Sequence, residues 1–166
     1  MTIKQELEQE LDEAYERFLS LVELVPEPDY SLPSSNPAWT VGDILFHITL
    51  GPRALAFEVW MTLHARGLYK LAMRYFPSRM FNRLNAWFGS RKRRISRQGL
   101  RKAYGKAHAV AQSRLRRVRE EDLSTSVTYP KDYVSDLAGE ISVERLFRYI
   151  KRHFEAHERE IRACLG

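Results

Sequence analysis

Apolar residues recur with helical periodicity in four long stretches of the chain. The first stretch ends before Pro26 and predicts a helix whose buried face consists of Ile3, Leu7, Leu11, Ala14, Phe18 and Leu21. The four prolines between residues 26 and 38 then predict a loop. A second helix should begin after Thr40, because Thr40 can cap it and Asp43 can complete a capping box. It should extend to about Arg66, with a kink at Pro52.

The second half of the chain predicts two further long helices. One covers about residues 97–119 and should bury Leu100, Ala103, Ala107, Val110, Leu115 and Val118. The last begins at a Ser142 cap, ends near Cys164 and carries the stripe Leu146, Ile150, His153, His157 and Ile161. Residues 120–141 should form a loop with a brief extended piece at 125–129. Residues 67–95 predict two short amphipathic helices broken at Pro77, followed by a basic turn at 89–94.

Length and composition favour one domain that spans residues 1–166. With 166 residues, of which 44% are apolar, the chain can bury a core without disulfides. Four helices with one apolar face each predict a helix bundle, because each face must be buried against another element. The lone cysteine, the polar N-terminus and the absence of an apolar run of roughly 20 residues together predict a cytoplasmic protein.

The net charge of +6 is unevenly distributed. Residues 66–119, called here the acid-free segment, hold 17 of the 27 Lys and Arg and no Asp or Glu, so the rest carries 10 basic and 21 acidic residues. The segment also holds the aromatics Tyr69, Tyr75, Phe76, Phe81, Trp87, Phe88 and Tyr104. Such a mixture is typical of surfaces that bind single-stranded nucleic acid or an anionic membrane. Alternatively, the aromatics pack on the bundle or at a dimer interface, and the opposite charges attract parts of the fold or two subunits.

Two histidines of the last helix are candidate metal ligands. His153 and His157 are four residues apart, so they share one helix face and can reach a single ion. Hydrogen-bonded histidines in the core or at the surface are the alternative. The zincin protease motif is excluded, because it needs Glu directly after the first His, and Glu155 stands one position later.

The sequence around His47 resembles the DinB-like family. The family has a Trp at a helix start, an acidic residue four positions on and a His eight positions on, matched here by Trp39, Asp43 and His47. Its second motif, His-x-x-x-His on the final helix, is matched by His153 and His157. The resemblance implies an all-α, antiparallel four-helix bundle, often a homodimer, in which His47, His153 and His157 bind one divalent metal ion, usually zinc or nickel. It covers residues 67–95 poorly, where extra short helices are expected.

The same resemblance implies a metal-dependent enzyme. Family members are thiol-dependent S-transferases and isomerases that use a low-molecular-weight thiol, or hydrolases, and they act on small molecules. Three imidazoles leave a coordination position open, and the ion would lower the pKa of a coordinated water or thiol. The catalytic residues are not assigned; Glu58 and Tyr104 are candidates for a general base by residue type alone.

Other polar residues have simpler interpretations. Asp43 should cap its helix rather than accept from an imidazole N–H, and Trp39 should cover the helix start. His64 and His108 should be surface or interface residues, and Cys164 should be apolar filler. The alternative function is a non-catalytic binding module that uses the acid-free segment to bind nucleic acid or an anionic membrane surface.

Overall fold

A computed structural model of the chain describes residues 1–75, 96–130 and 137–165. Its helices are α1 (Ile3–Leu24), α2 (Val41–His64), α3 (Arg66–Tyr75), α4 (Arg97–Arg117) and α5 (Val143–Leu165). Short 3₁₀ helices span Glu27–Ser31 and Glu120–Ser124. Two strands, β1 (Ser126–Tyr129) and β2 (Gly139–Ser142), pair antiparallel. Within these ranges, no helix combines the length and the hydrophobicity that crossing a membrane requires.

The long helices begin where the sequence supplies capping side chains. The Thr40 hydroxyl accepts from the Asp43 backbone N–H at 3.2 Å, and the Asp43 carboxylate accepts from the Thr40 N–H at 2.9 Å. The predicted capping box is therefore formed. Ser142 likewise accepts from the Arg145 N–H at 3.2 Å. These contacts satisfy N–H groups that have no partner inside their own helix.

The predicted all-α bundle is confirmed. α1 and α2 each pack against both α4 and α5, so α1 and α2 occupy opposite corners. α1 and α4 are antiparallel, because Lys4 contacts the Arg116 carbonyl at one end and Glu23 contacts Arg101 at the other. α3 and the β hairpin form an additional layer, in which α3 packs against β1.

A ladder of ion pairs joins α1 to α5. The pairs follow one another in the same order along both helices, so these two helices run in the same direction: Arg148 with Glu6 and Glu10, Lys151 with Glu13, and Arg17 with Glu155 and Glu158. On its other side, Glu23 of α1 pairs with Arg97 at 3.3 Å and with Arg101 at 2.5 Å, both in the acid-free segment. The acidic first helix thus attracts basic residues of two other helices, as one of the sequence alternatives supposed.

The predicted apolar residues of the long helices are buried, with three exceptions. Ile3 is exposed at the N-terminal end of α1, Val110 is exposed on α4, and Ala103 of α4 is only partly buried. The buried face of α4 consists of Leu100, Tyr104, Ala107, Ala111, Gln112 and Leu115. Ala103 and Val110 each stand one position before a residue of this face, and are therefore turned about 100° away from it.

Two loops contain elements that were not predicted, and a third stretch lies partly outside the described residues. The proline-rich loop contains the 3₁₀ helix Glu27–Ser31, because a proline in a first helical turn removes no needed hydrogen bond. The loop at 120–141 contains β2 besides the extended piece that was predicted, which is β1. α3 is the first of the two short helices predicted for 67–95; the second, and the basic turn at 89–94, lie outside the described residues.

A hydrogen-bonded cluster ties the hairpin and α3 to α2. The Tyr129 hydroxyl of β1 donates to Glu58 Oε2 at 2.5 Å and lies 2.8 Å from the Tyr69 hydroxyl of α3. Burial raises the pKa of the Glu58 carboxyl, and hydrogen bonds from Tyr129 and Tyr69 oppose that rise. Tyr129 and Tyr69 are buried and Glu58 is half-buried, so the hydrogen bonds from the phenols replace part of the hydration of the carboxylate.

We therefore expect Tyr129→Phe to lower the free energy of unfolding by about 1–3 kcal/mol, the cost of leaving the buried Tyr69 hydroxyl and the half-buried Glu58 carboxylate each short of one partner. Tyr75→Phe is the matched control, because Tyr75 is 69% exposed and should change stability by less than about 0.5 kcal/mol. Urea unfolding of both variants measures the difference. Equal losses would show that the Tyr129 hydroxyl does not support Glu58.

Candidate metal centre

Three imidazoles meet where α2 packs against α5. His47, His153 and His157 each offer one ring nitrogen within 4.8 Å of the other two. The Nε2 atoms of His47 and His153 are 3.0 Å apart, and the three ring centroids are separated by 4.7–5.0 Å. The structure thus brings together all three histidines that the sequence singled out as candidate ligands.

The local packing of the two helices explains this convergence. His153 and His157 lie one turn apart on α5, and His47 lies on the facing side of α2. Gly51, one turn after His47, makes room for the ring of His153: a Cβ at position 51 would lie 3.1 Å from its Nδ1 and 3.3 Å from its Cε1. The His153 ring therefore occupies space that almost any side chain at position 51 would restrict.

Burial controls the charge of the cluster. Burial, with a smaller contribution from the neighbouring His157, lowers the pKa of His47 to about 3. Burial likewise holds the pKa of His153 well below its usual range, with smaller contributions from His47 and His157. Both rings are therefore neutral at pH 7, which is the form in which imidazole offers a lone pair to a metal ion.

The donor set fits a divalent ion. Imidazole nitrogen suits zinc, nickel, copper and iron. Two nitrogens bound to zinc at 2.0–2.1 Å with tetrahedral angles lie about 3.4 Å apart. The 3.0 Å between His47 and His153 is within a few tenths of an ångström of that separation.

Aromatic and polar groups surround the imidazoles. Trp39 packs edge-on against His47, with ring centroids 4.9 Å apart, and the Tyr149 ring lies 5.9 Å from that of His153. The Nδ1 atom of His157 lies 3.0 Å from Glu160 Oε2. Glu160 was not among the predicted site residues, although its position three residues after His157 on one helix is a usable signal.

Ser35 joins this arrangement from the proline-rich loop. Its hydroxyl donates to Glu160 Oε1 at 2.7 Å. No local pattern could have indicated this contact, because the two residues are 125 positions apart in the chain. Asp43 has the capping role that was favoured for it, since its carboxylate accepts from both the backbone N–H and the hydroxyl of Thr40.

Neither candidate for a general base lies among the groups that contact the cluster in the described part of the chain. Glu58 belongs to the tyrosine cluster, and Tyr104 stacks on Phe18 with ring centroids 4.2 Å apart. Burial raises the pKa of Tyr104, so the phenol keeps its proton and is not available as a general base. These two residues, chosen by type alone, therefore support the core.

The remaining histidines are separate from the cluster, as expected. His64 is exposed and stacks on Trp60. His108 lies at the interface of α4 with α1, where its Nε2 is 3.1 Å from the Asp12 carboxylate and its ring stacks on Tyr15.

The fold and the cluster define a helical bundle with three imidazoles between two facing helices. A family model described as the DinB superfamily matches residues 10–161, so this chain belongs to the DinB superfamily. No curated protein matches the sequence.

Among solved structures, a histidine-to-alanine variant of a mycothiol-dependent maleylpyruvate isomerase is similar, with a TM-score of 0.69 and 13% sequence identity. The match covers 97% of this chain and 63% of the isomerase chain, so this protein spans less than two thirds of that length. At this identity the likeness shows the fold alone.

The lowered pKa values of His47 and His153 predict how the metal-free protein responds to acid. Because the unfolded-state pKa of a histidine is about 6.5, the unfolded chain binds more protons than the folded one below that pH. Stability should therefore fall with pH from about 6.5 towards the folded-state pKa of His47, which is about 3. The expected slope is about 1.4 kcal/mol per pH unit for each of His47 and His153.

Urea unfolding of chelator-treated protein between about pH 7.5 and about pH 5 measures this slope. A variant carrying both His47→Gln and His153→Gln should lose it. His64→Gln is the control and should retain it, because His64 is exposed. A flat wild-type profile would show that the two rings can be protonated without loss of folding.

Proposed function

We propose that this protein is a divalent-metal-dependent enzyme that acts on a small molecule, as a thiol-dependent S-transferase or as a hydrolase. The observation that carries the proposal is the three-imidazole cluster in a chain of the DinB superfamily. The structural neighbour is by name a mycothiol-dependent isomerase, which favours a low-molecular-weight thiol as co-substrate.

In this proposal His47, His153 and His157 hold one ion, zinc or nickel. Such an ion supplies a Lewis acid that lowers the pKa of a thiol or water that reaches it. The chain contributes neutral nitrogens, because burial keeps His47 and His153 unprotonated. Trp39 lies against His47 and Tyr149 lies near His153, and these two aromatic rings limit the access of water to the histidines. A single domain of residues 1–166, a homodimer and a cytoplasmic location belong to the same proposal.

Elemental analysis of protein purified without an affinity tag is the first test. We expect about one equivalent of zinc or nickel. The variants His47→Ala, His153→Ala and His157→Ala should each lose it, because two imidazoles bind far more weakly than three. His108→Ala is the control, since this histidine is partly buried yet contacts Asp12 instead of the cluster.

Loading with Co²⁺ then tests the thiol. Adding mycothiol or another small thiol to the cobalt-loaded protein should produce a sulfur-to-cobalt charge-transfer absorption, and His153→Ala should abolish it. A wild-type protein that contains no metal and takes up none would refute the metal-dependent function. Metal uptake without a thiol signal would favour the hydrolase.

A second candidate function rests on the exposed side of α3. Leu68, Leu71 and Tyr75 recur at spacings of three and four and are 64%, 55% and 69% exposed, whereas Tyr69 and Met73 are buried against the fold. Tyr69 and Tyr104 pack on the bundle, as one alternative for the aromatics of the acid-free segment expected, whereas Tyr75 does not and is free to meet a partner surface. Phe76, Phe81, Trp87 and Phe88 lie outside the described residues.

The charges of α3 favour an anionic membrane surface as the partner. Arg66, Lys70 and Arg74 accompany the exposed apolar residues, and α3 contains no acidic residue. A symmetric dimer through this side would bring Lys70 and Arg74 of both copies together, which costs energy. Exposed leucines can enter a lipid interface but cannot stack on bases as aromatic rings do.

Flotation with vesicles tests this candidate. We expect binding to phosphatidylserine-containing vesicles, little binding to phosphatidylcholine alone, and a steep loss with salt. Leu71→Ser should weaken binding about tenfold or more, because a buried leucine contributes about 1.5–3 kcal/mol. Leu24→Ser is the matched control, with a leucine 53% exposed at the end of α1. Binding to single-stranded nucleic acid that is insensitive to Leu71→Ser would instead assign the basic residues to that partner.

A further inference from the structure

Glu160 stands beside one of the three histidines in a position that affects its chemistry. It lies one turn after His157 on α5, and both side chains are 22% exposed. The His157 Nδ1 is 3.0 Å from Glu160 Oε2. A carboxylate can only accept, so the hydrogen of this bond belongs to Nδ1. A neutral imidazole carries one N–H, and Nε2 is therefore left with its lone pair.

We infer that Glu160 is a positioning residue for His157: it fixes the Nδ1–H tautomer and turns the Nε2 lone pair towards His47 and His153. The inference rests on the metal site proposed above and deepens it. Carboxylates that accept from the outer nitrogen of a metal-binding histidine set both the tautomer and the ring orientation.

The surroundings of the other two histidines explain why His157 needs this partner. The ring of His153 lies against Gly51, and that of His47 is packed against Trp39, so contacts with the fold restrict both rings. Among the described residues, His157 is the member of the cluster whose ring nitrogen, Nδ1, lies within hydrogen-bond distance of a carboxylate. A hydrogen bond thus restricts the orientation of the His157 ring, as packing restricts the orientation of the other two rings.

Ser35 extends the arrangement one step further. Its hydroxyl donates to Glu160 Oε1 at 2.7 Å, so the two oxygens of the carboxylate have different partners and the group has a defined rotation. The loop that carries Ser35 is closed by the pairing of Pro33 with Thr40 and by a hydrogen bond from the Ser34 N–H to the Trp39 carbonyl at 3.0 Å. The same closed loop therefore presents Ser35 to Glu160 and Trp39 to His47.

A simpler interpretation is that the contact of Ser35 with Glu160 only fastens the loop to α5. The two interpretations differ in what they predict for His157. If the contact were only a fastener, Glu160→Gln would change neither the tautomer of His157 nor the affinity for metal. If Glu160 positions the ring, both should change while the fold stays intact.

The first measurement needs no metal. Long-range proton–nitrogen NMR correlations on the chelator-treated full chain report which ring nitrogen of His157 carries the hydrogen. We expect Nδ1–H in the wild type and a mixture of tautomers in Glu160→Gln and Glu160→Ala. A wild-type His157 that carries its hydrogen on Nε2 when neutral would overturn the inference.

The second measurement is zinc affinity by competition with a chromophoric chelator. Glu160→Gln should bind zinc about 10–100-fold more weakly than the wild type, and Ser35→Ala should shift affinity in the same direction by a smaller factor. Glu144→Gln is the matched control: it removes a carboxylate of α5 that pairs with Arg148 at 2.8 Å, far along the helix from the cluster, and should leave affinity unchanged. Urea unfolding of the metal-free variants checks that each is folded.

The outcomes separate this inference from the proposed function. If the wild type binds zinc and Glu160→Gln binds it equally tightly, Glu160 does not position His157 and the metal site stands. If the wild type binds no metal, the proposed function fails, and the NMR tautomer alone decides whether Glu160 controls His157. A loss of affinity in Glu160→Gln with none in Ser35→Ala would remove Ser35 from the arrangement.

Discussion

The packing of α2 against α5 is the contact on which the candidate site depends, because it brings three imidazoles together and shields them partly from water. Two neutral rings placed 3.0 Å apart can share one hydrogen bond, but each has a second nitrogen to satisfy. Partial burial disfavours protonation of His47 and His153, so these rings do not become imidazolium ions that could donate from both nitrogens. An ion between the rings would accept the lone pairs of the facing Nε2 atoms without adding a proton, so the candidate site depends on packing as well as on residue type.

Helix direction is the second constraint. The ion-pair ladder shows that α1 and α5 run the same way, and α1 runs opposite to α4. The pairs of the ladder are partly buried, and because each pair forms at one relative position of the two helices, the ladder sets the register of α5 against α1. That register matters, because α5 carries two of the three histidines and Glu160. A shift of one residue in the register of α5 would turn these side chains about 100° away from His47.

The sequence predicted those features that depend on local patterns. Periodicity located the long helices, and Thr40 and Ser142 marked two of their beginnings. The resemblance to a family supplied what periodicity could not, namely that His47 would meet two histidines more than 100 positions away. Features that depend on contacts between distant residues were not predicted. β2 is defined by its pairing with β1, and the buried face of α4 is determined by the helices that pack against it. Ser35 near Glu160 is a contact of the same kind.

The two candidate functions draw on different halves of the core. Tyr69 and Met73, which anchor α3, belong to a cluster with the hairpin and the C-terminal half of α2. Ile48 and Phe154, which flank the histidines, belong to a second cluster together with Trp39. Substitutions at sites without shared partners have nearly additive effects. The metal centre and the exposed side of α3 can therefore change independently: loss of His153 should leave α3 in place, and loss of Leu71 should leave the imidazoles in place. If the protein uses both, the long connection between α2 and α4 adds the second function to the bundle without disturbing the packing that creates the first.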